Sequence, residues 1–412
     1  MMTSEEWLFV LIALLIFNYI FSSILSYVND KCWNDNIPNS LKDFYSEEKY
    51  TKAKNYKKET GKLGFFSSSL SFVITFLLLY FGIYGIVSDY FASNYQNSFI
   101  QSSLFLITFY LFNTIISFPF QYYSTFKIET KYGFNKTTLK TFFLDKIKGI
   151  ILGIIIGGLL LYSALWIYNN FVSGFWIYLW IGLSIFIIFM NMFYTTLIVP
   201  FFNKLTPLKE SSLKEKINNF SNKIGYSINN IFIIDGSKRS TKANAFFSGL
   251  GPKKTIALYD TLVEKHTEEE LVAVLAHEVG HYKKKHIFQS LVLSIIQTGL
   301  ITYLFELCLS NDSLIYSLGG ETITFHLGLI IFSILFSPIG LIIGVFMNFL
   351  SRKNEFEADE FAKKEYNAKD LALALKKLSV DNLSNLYPHP FYVFVHYSHP
   401  PLIERLKALE QN

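Results

Sequence analysis

The sequence predicts a mainly α-helical protein that crosses a membrane several times and carries a small α/β unit. Of its 412 residues, 51% are hydrophobic and only 17% are charged, whereas about 25% of an ordinary globular protein is charged. Seven long apolar runs contain no Lys or Arg, and a bilayer core about 30 Å thick needs roughly 20 apolar residues in a helix. One such run could be a buried helix of a soluble protein, but seven indicate membrane spans.

The first apolar run could also be a cleaved signal peptide. Glu5 and Glu6 precede it in place of positive charges, however, and no A-x-A cleavage site follows it. We therefore interpret all seven runs as spans. In chain order, the predicted spans are residues 7–28, 64–88, 98–119, 149–169, 174–199, 287–309 and 322–350.

The positive charges between the spans predict the orientation in the membrane, because Lys and Arg concentrate in the cytoplasmic segments of membrane proteins. The segments on one side contain no Lys or Arg, and those on the other side contain all 37. The first set is 1–6, 89–97, 170–173 and 310–321, and the second is 29–63, 120–148, 200–286 and 351–412. We expect the N-terminus outside and every large polar segment in the cytoplasm.

Composition also excludes several classes of protein. Low charge with many aromatic residues excludes a disordered chain, and two cysteines, Cys32 and Cys308, exclude a disulfide scaffold and a Cys-based metal site. The net charge of +5 is spread through the loops, so no nucleic-acid partner is expected. Polar residues inside the spans, such as Ser69 and Asn191, either join helices or line a water-filled interior. Glu306, in span six, sits at the headgroup level or faces the bundle interior.

The segment 200–286 has the pattern of a small α/β unit. The predicted helix is 213–224, and the predicted strands are 230–235, 243–247 and 255–259, the last two joined by a turn through Gly249, Gly251 and Pro252. A second helix follows, because Thr267 and Glu270 have the spacing of a capping box. An apolar run leads from them to His277.

The sequence HEVGH at 277–281 carries the chemistry. His277 and His281 are four residues apart, so on a helix they share one face with side chains about 6 Å apart, which suits two imidazoles on one tetrahedral zinc. Glu278 borders the same face and can reach a metal-coordinated water without being a ligand. This is the arrangement of zinc metalloproteases. The alternative is a helix with two surface histidines.

A zinc site needs a third protein ligand, and the sequence alone leaves its identity open. Glu355, Glu357 and Asp359 follow the last span, and their spacing does not separate them. One would be the ligand and another would orient an imidazole from behind. A charged helix start is also typical of a solvated face. His286, nine residues after His277, is expected to point elsewhere.

The motifs together resemble the type I CAAX prenyl endopeptidase family of integral-membrane zinc proteases, to which the bacterial heat-shock membrane metalloproteases are related. HEVGH at 277–281 is followed by the pattern N-x-x-S-R-x-x-E-x-x-A-D at 348–359. Further similar segments cover nearly the whole chain, which favours the CAAX branch over the shorter heat-shock branch. They are 124–135 (STFKIETKYGFN), 235–247 (DGSKRSTKANAFF), 256–262 and 396–406 (HYSHPPLIERL).

The resemblance implies a role for each matching residue around one Zn²⁺ per chain. Glu355 is then the third ligand, and Asp359 is the carboxylate that supports a histidine ligand. Asn244 lies on a strand that pairs with an extended substrate by β-augmentation. Asn348 hydrogen-bonds the substrate.

Two C-terminal residues are also implied. His399 would stabilise the tetrahedral oxyanion, and Arg405 would hold the substrate backbone or the local structure; without the resemblance both would be interpreted as surface residues. The family fold implies seven helices around a chamber. The chain then divides into spans one to five at 1–199 with cytoplasmic loops at 29–63 and 120–148, a zincin-like protease segment at 200–286, spans six and seven at 287–350, and a C-terminal segment at 351–412 that completes the site.

The predicted activity is hydrolysis of peptide bonds by a zinc-activated water, with Glu278 as general base. The substrate would be a membrane-associated peptide or protein, such as a prenylated C-terminal CAAX peptide, and the alternative is quality control of membrane proteins without prenyl specificity. A transporter with an incidental HExxH and a catalytically dead scaffold are further alternatives. A bacterial plasma membrane is favoured, and the endoplasmic reticulum is expected if the protein is eukaryotic.

Overall fold

Long apolar helices dominate the computed structural model, which describes residues 2–171, 173–225, 230–248 and 255–411. Six helices in these residues are long and apolar enough to cross a membrane, and one bent helix pair is a seventh candidate. This confirms the predicted multi-pass helical class, and a small sheet accompanies the helices. The chamber implied by the resemblance stays a prediction.

The α-helices are numbered along the chain. Within the described residues they are α1 (Ser4–Lys31), α2 (Glu47–Tyr80), α3 (Ile83–Asn94), α4 (Ser98–Tyr123), α5 (Leu139–Asn170), α6 (Phe175–Leu197), α7 (Val199–Phe202), α8 (Ser212–Lys223), α9 (Asp260–Lys265), α10 (Glu268–Lys283), α11 (His286–Leu309), α12 (Asp312–Tyr316), α13 (Phe325–Leu335), α14 (Ser337–Ala362), α15 (Ala368–Asp381), α16 (Pro390–His396) and α17 (Leu402–Glu410). π-Helical turns extend α4 at Ser124–Glu129 and α14 at Lys363–Asn367.

The sheet contains four strands in the described part of the chain. They are β1 (Leu205–Pro207), β2 (Ile231–Ile234), β3 (Ala245–Ser248) and β4 (Thr255–Tyr259), in the spatial order β1-β2-β4-β3. β2 and β4 are parallel, and the outer strands β1 and β3 are antiparallel to their neighbours. The sequence predicted β2, β3 and β4 but missed β1, a three-residue edge strand that ends in Pro207. The predicted turn through Gly249, Gly251 and Pro252 lies outside the described residues.

The second predicted span is not one continuous helix. Residues 64–88 were predicted as one run, but α2 ends at Tyr80 and α3 begins at Ile83. Gly82 between them has φ +61°, a conformation that glycine adopts at little cost. The Gly85 N–H, in the first turn of α3, donates to the Leu318 carbonyl at 3.0 Å. This bond ties the corner between α2 and α3 to the loop before α13.

The seventh predicted span, 322–350, is bent by 54° between α13 and α14. Pro338 lies in the first turn of α14. Proline has no N–H to donate and its ring clashes with the carbonyl four residues earlier, so a helix cannot pass through it straight. Beyond the bend, α14 continues to Ala362 and carries the acidic residues expected at the site.

Two polar residues inside the spans join neighbouring helices. The Ser69 and Tyr19 hydroxyls lie 2.8 Å apart, linking α2 to α1. Glu306 of α11 accepts a hydrogen bond from the Trp176 N–H at the start of α6, at 2.6 Å. An acid at this position satisfies an unpaired donor at the positive end of the helix dipole. Glu306 therefore bonds to the start of a neighbouring helix, and its two expected positions, at the headgroup level or facing the bundle interior, stay predictions.

The contact between the Gly85 corner and the loop before α13 predicts a steric requirement. A Cβ on Gly85 would lie 2.0 Å from the Gly320 backbone nitrogen. Gly85→Ala should therefore lower the unfolding temperature by several degrees, because overpacking costs about 1–3 kcal/mol or more. Thermal unfolding of the detergent-purified protein measures the change.

Gly64→Ala is the matched control, because no atom lies within 4 Å of a Cβ built there. Equal unfolding temperatures for the Gly85 and Gly64 variants would contradict the close approach.

Candidate active site

The site begins with α10, whose start is fixed by several hydrogen bonds. The Thr267 side chain accepts from the Glu270 N–H, and the Glu270 carboxylate accepts from the Thr267 N–H. Glu270 is buried and also contacts His266 Nδ1 at 2.9 Å and Lys377 Nζ at 2.6 Å. The apolar residues that follow pack in a core between the sheet and α15. α10 is thus held on both sides before it reaches His277.

His277 and His281 face each other across one turn of α10, with their Nε2 atoms 3.2 Å apart. Glu355 comes from α14, and its carboxylate lies 3.2 Å from His281 Nε2 and 3.5 Å from His277 Nε2. One ligand atom from each of these three residues lies within 4.8 Å of the others. The structure therefore brings together two imidazoles and one carboxylate from two helices.

A glycine permits this approach of the two helices. A Cβ on Gly280 would lie 3.1 Å from both the Cα and the carbonyl oxygen of Ala358, and 3.2 Å from the Phe361 Cβ. Such distances are tighter than ordinary contact, so a larger residue would move α14 and its carboxylates away. The close contact explains why a glycine precedes His281.

The three converging residues fit a metal ion. Glu355 Oε2 is buried and makes no hydrogen bond within the described residues, and its ion-pair partner Arg405 Nη1 lies 3.3 Å away. Arg405 is shared with Asp359, so this buried oxygen can still accept a metal cation. Two imidazole nitrogens with one carboxylate form the donor set of a catalytic zinc site. The other oxygen of Glu355 lies toward His281.

Asp359 and Arg405 support His277 from behind. Asp359 Oδ1 lies 2.8 Å from His277 Nδ1, so it can fix the ring orientation. Arg405 donates to Asp359 through Nε at 2.8 Å and Nη2 at 2.6 Å, a bidentate pair in a buried position. Burial would lower the pKa of His277, but the bonds with Asp359 and Glu355 outweigh it and raise the pKa to about 9. The site therefore favours positive charge.

Glu278 is partly buried beside the two histidines on α10. Desolvation raises the pKa of its carboxyl group above the ordinary value. A carboxylate with a raised pKa is a better proton acceptor near neutral pH. The environment therefore suits a general base.

His399 reaches the site from the loop between α16 and α17. Its Nε2 atom lies 3.3 Å from Glu355 Oε1, and its side chain is 65% exposed. Asn348 does not point at the ligands: its Nδ2 donates to the Val395 carbonyl at 2.8 Å. Arg352, for which no role was predicted, donates to the Tyr397 carbonyl at 2.6 Å. These two residues therefore fix the end of α16 and the loop that carries His399.

Asn244 lies directly before β3 and is exposed. Its Oδ1 accepts from the Ala245 N–H at 2.9 Å, and its carbonyl accepts from the Tyr259 N–H at 3.0 Å. β3 pairs only with β4 among the described residues, so its other edge can accept a further strand. The strand begins two residues later than predicted.

The expectation that His286 points away is wrong. His286 Nδ1 lies 3.1 Å from His281 Nδ1, and His286 Nε2 lies 3.1 Å from Glu357 Oε2. The helical count of nine residues assumed one continuous helix, but α10 ends at Lys283 and α11 begins at His286. The three lysines before His286 are good helix formers, so the sequence carried no signal for this break.

Two family models together cover most of the chain. The model described as "CAAX prenyl protease N-terminal, five membrane helices" matches residues 26–204, and "Peptidase family M48" matches residues 207–412. The "CAAX prenyl protease 1 homolog" of Arabidopsis thaliana is 36% identical over 91% of this chain and 90% of its own length. "CAAX prenyl protease 1" of Saccharomyces cerevisiae is 32% identical over 98% and 95%.

The human relative and one solved structure agree with this. The "CAAX prenyl protease 1 homolog" of Homo sapiens is 32% identical over 91% of this chain and 88% of its own length. The crystal structure of S. mikatae Ste24p has a TM-score of 0.93 at 33% identity and covers 98% of this chain and 99% of that chain. The predicted resemblance and the metalloendopeptidase class are confirmed, and the transporter and dead-scaffold alternatives are set aside.

The convergence at Glu355 predicts a specific loss of metal affinity. Glu355→Gln removes one charged ligand, so metal affinity should fall by more than about 100-fold, beyond the roughly 10–100-fold cost of losing an outer partner. Metal content by mass spectrometry and titration against a chelator measure the change. Glu360→Gln on the same helix is the control, since Glu360 pairs with Lys364 on the surface. Unchanged metal content in Glu355→Gln would contradict the site.

Proposed function

Because the chain belongs to peptidase family M48 and carries the N-terminal membrane domain of the CAAX prenyl proteases, we propose that it is a zinc-dependent endopeptidase for prenylated CAAX-type peptides. It is a multi-pass membrane metalloendopeptidase that acts on peptide or protein substrates. We propose three further points: the metal is zinc, the substrate carries a prenyl group, and individual residues have the roles described below.

A single observation carries the proposed chemistry. His277 and His281 of α10 and Glu355 of α14 converge with ligand atoms within 4.8 Å of one another, beside Glu278. Two imidazoles and a carboxylate favour Zn²⁺, one ion per chain. Such an ion polarises the scissile carbonyl and lowers the pKa of a coordinated water to about 7.

The residues of the chain supply the remaining chemistry. Glu278 accepts the proton of the attacking water and passes it to the leaving amine. Asp359, itself held by Arg405, fixes the ring of His277. His399 donates to the oxygen of the carbonyl under attack, and its position next to Glu355 supports this role. The contact of Asn348 with Val395 supports a role in placing the His399 loop.

The substrate peptide binds as an added strand. The open edge of β3, with exposed Asn244 at its start, supports β-augmentation. The names of the relatives support a CAAX-type C-terminus as the target. Quality control without prenyl specificity is the second candidate. No nucleic acid takes part.

The membrane arrangement follows from the charges. The segregation of all 37 Lys and Arg supports an N-terminus outside and an active site on the cytoplasmic side. The division at 1–199, 200–286, 287–350 and 351–412 is proposed on the same basis. The relatives described above come from a plant, a yeast and a mammal. They favour the endoplasmic reticulum membrane over the bacterial plasma membrane expected from the sequence.

The role of Glu278 predicts a variant that binds metal without turnover. Glu278→Gln should keep one Zn²⁺ per chain and reduce kcat about 10²- to 10⁴-fold, because it removes the proton acceptor but no ligand. Cleavage of a farnesylated CAAX peptide in proteoliposomes measures the rate. The surface variant Glu360→Gln should retain wild-type activity.

Further outcomes distinguish the candidates. Cleavage that survives both chelator and Glu278→Gln would place the chemistry elsewhere. The same peptide without its farnesyl group should be cleaved more slowly. Equal rates on both peptides, and on an unrelated unfolded membrane peptide, would favour quality control.

The proposed orientation predicts which cysteine a membrane-impermeant maleimide labels in sealed microsomes, whose cytoplasmic face is outward. In a Cys308→Ser background, the exposed Cys32 of segment 29–63 should react without detergent. Ser310→Cys in a background without Cys32 and Cys308 should react only after detergent is added, because Ser310 lies at the opposite end of α11 from the site. Labelling of both positions from one side would refute the proposed arrangement.

A further inference from the structure

His286 is the buried histidine nearest the site to which the mechanism gives no role. It begins α11 directly after Lys285, which has φ +61°. A non-glycine residue in this left-handed region is uncommon and carries backbone strain. This turn separates α10 from α11, and the ring centres of His281 and His286 lie 5.2 Å apart across it. The chain thus adopts a strained turn that brings two imidazoles together.

The contacts of the two rings fix where their protons lie. His281 Nε2 faces His277 and Glu355, so as a metal ligand it carries no proton. The proton of a neutral His281 ring is then on Nδ1, which donates to His286 Nδ1 at 3.1 Å. His286 must accept at Nδ1 and carry its own proton on Nε2, which donates to Glu357 Oε2 at 3.1 Å. All four ring nitrogens are used.

A carboxylate therefore supports each histidine ligand, directly at His277 and through the ring of His286 at His281. Asp359 contacts His277 directly. Glu357 lies two residues from Glu355 on α14, and residues two apart do not share a helix face. It cannot lie beside Glu355 against His281, but it reaches His286 at the start of α11. Each histidine ligand thus has its own carboxylate from α14.

We propose that His286, oriented by Glu357, is a positioning residue that fixes the tautomer and ring orientation of the metal ligand His281. This rests on the proposed metal site. Histidine ligands commonly donate their second N–H to a partner, and loss of that partner lowers metal affinity about 10–100-fold. Three closely spaced acids of α14 then have separate roles. Glu355 is the metal ligand, Glu357 orients His286, and Asp359 orients His277.

The test uses the full-length protein in detergent, stripped of metal and titrated with Zn²⁺ against a chromophoric chelator. His286→Ala and Glu357→Gln should each weaken Zn²⁺ binding about 10–100-fold. His286→Asn, whose side-chain oxygen can accept near the Nδ1 position, should recover part of the affinity. In the Co²⁺-substituted protein, His286→Ala should shift the visible d–d bands, since the orientation of a ligand has changed. Glu360→Gln should leave both measurements unchanged.

Combining His286→Ala with Glu357→Gln tests whether Glu357 acts on the metal site through His286. The double variant should bind Zn²⁺ no more weakly than His286→Ala alone, because Glu357 acts only through His286. For the farnesylated peptide, kcat should fall while KM stays constant. Thermal unfolding identifies any variant that fails to fold. If His286→Ala fails to fold, the Zn²⁺ affinity of His286→Asn tests the inference in its place.

Two results would overturn the inference. One is unchanged Zn²⁺ affinity and Co²⁺ spectrum in folded His286→Ala, and the other is losses that multiply in the double variant. Either result leaves the proposed function intact if the wild type binds one Zn²⁺ and cleaves the peptide. A wild type without stoichiometric metal would instead refute the proposed function itself.

Discussion

The close contact of α10 and α14 is the constraint on which the site depends. A Cβ on Gly280 would come within 3.1 Å of the Ala358 backbone, so the two helices approach almost to backbone contact. At this separation Glu355 reaches the Nε2 atoms of both histidines, and Asp359 reaches the far side of His277. Carboxylate side chains are short, so a small outward displacement of α14 would separate both contacts at once. The glycine is therefore a geometric requirement of the metal site.

Charge balance gives a second reason for a divalent ion. Glu278, Glu355 and Asp359 lie in or beside the site, and in the described residues Arg405 is the guanidinium that pairs with Glu355 and Asp359. Buried charges cost several kcal/mol each unless they are paired. Three carboxylates against one guanidinium leave two negative charges, which one divalent cation neutralises. The contacts with Asp359 and Glu355 that raise the pKa of His277 reflect the same excess of negative charge.

Local sequence signals predicted the spans, the capped helix and the two histidines, because each depends on periodicity or on spacing within one helix. The roles of Glu355, Glu357 and Asp359 could not be separated in this way. They depend on the direction in which α14 crosses α10, which the bend at Pro338 helps to set. The role of His286 was missed because a left-handed residue, Lys285, interrupts the helical count. Non-local contacts of this kind leave little trace in composition or periodicity.

The membrane spans are part of the catalytic structure as well as its anchor. α14 starts at the bend, and Glu355 lies 17 residues beyond Pro338, or about 25 Å along the helix at 1.5 Å per residue. α11 likewise runs from His286 at the site into the next span. Apart from the residues of α10 and the C-terminal His399 and Arg405, the groups around the metal site therefore lie on helices that continue into apolar spans. Packing between those helices sets the positions of Glu355, Glu357 and His286, so the α/β unit alone cannot complete the site.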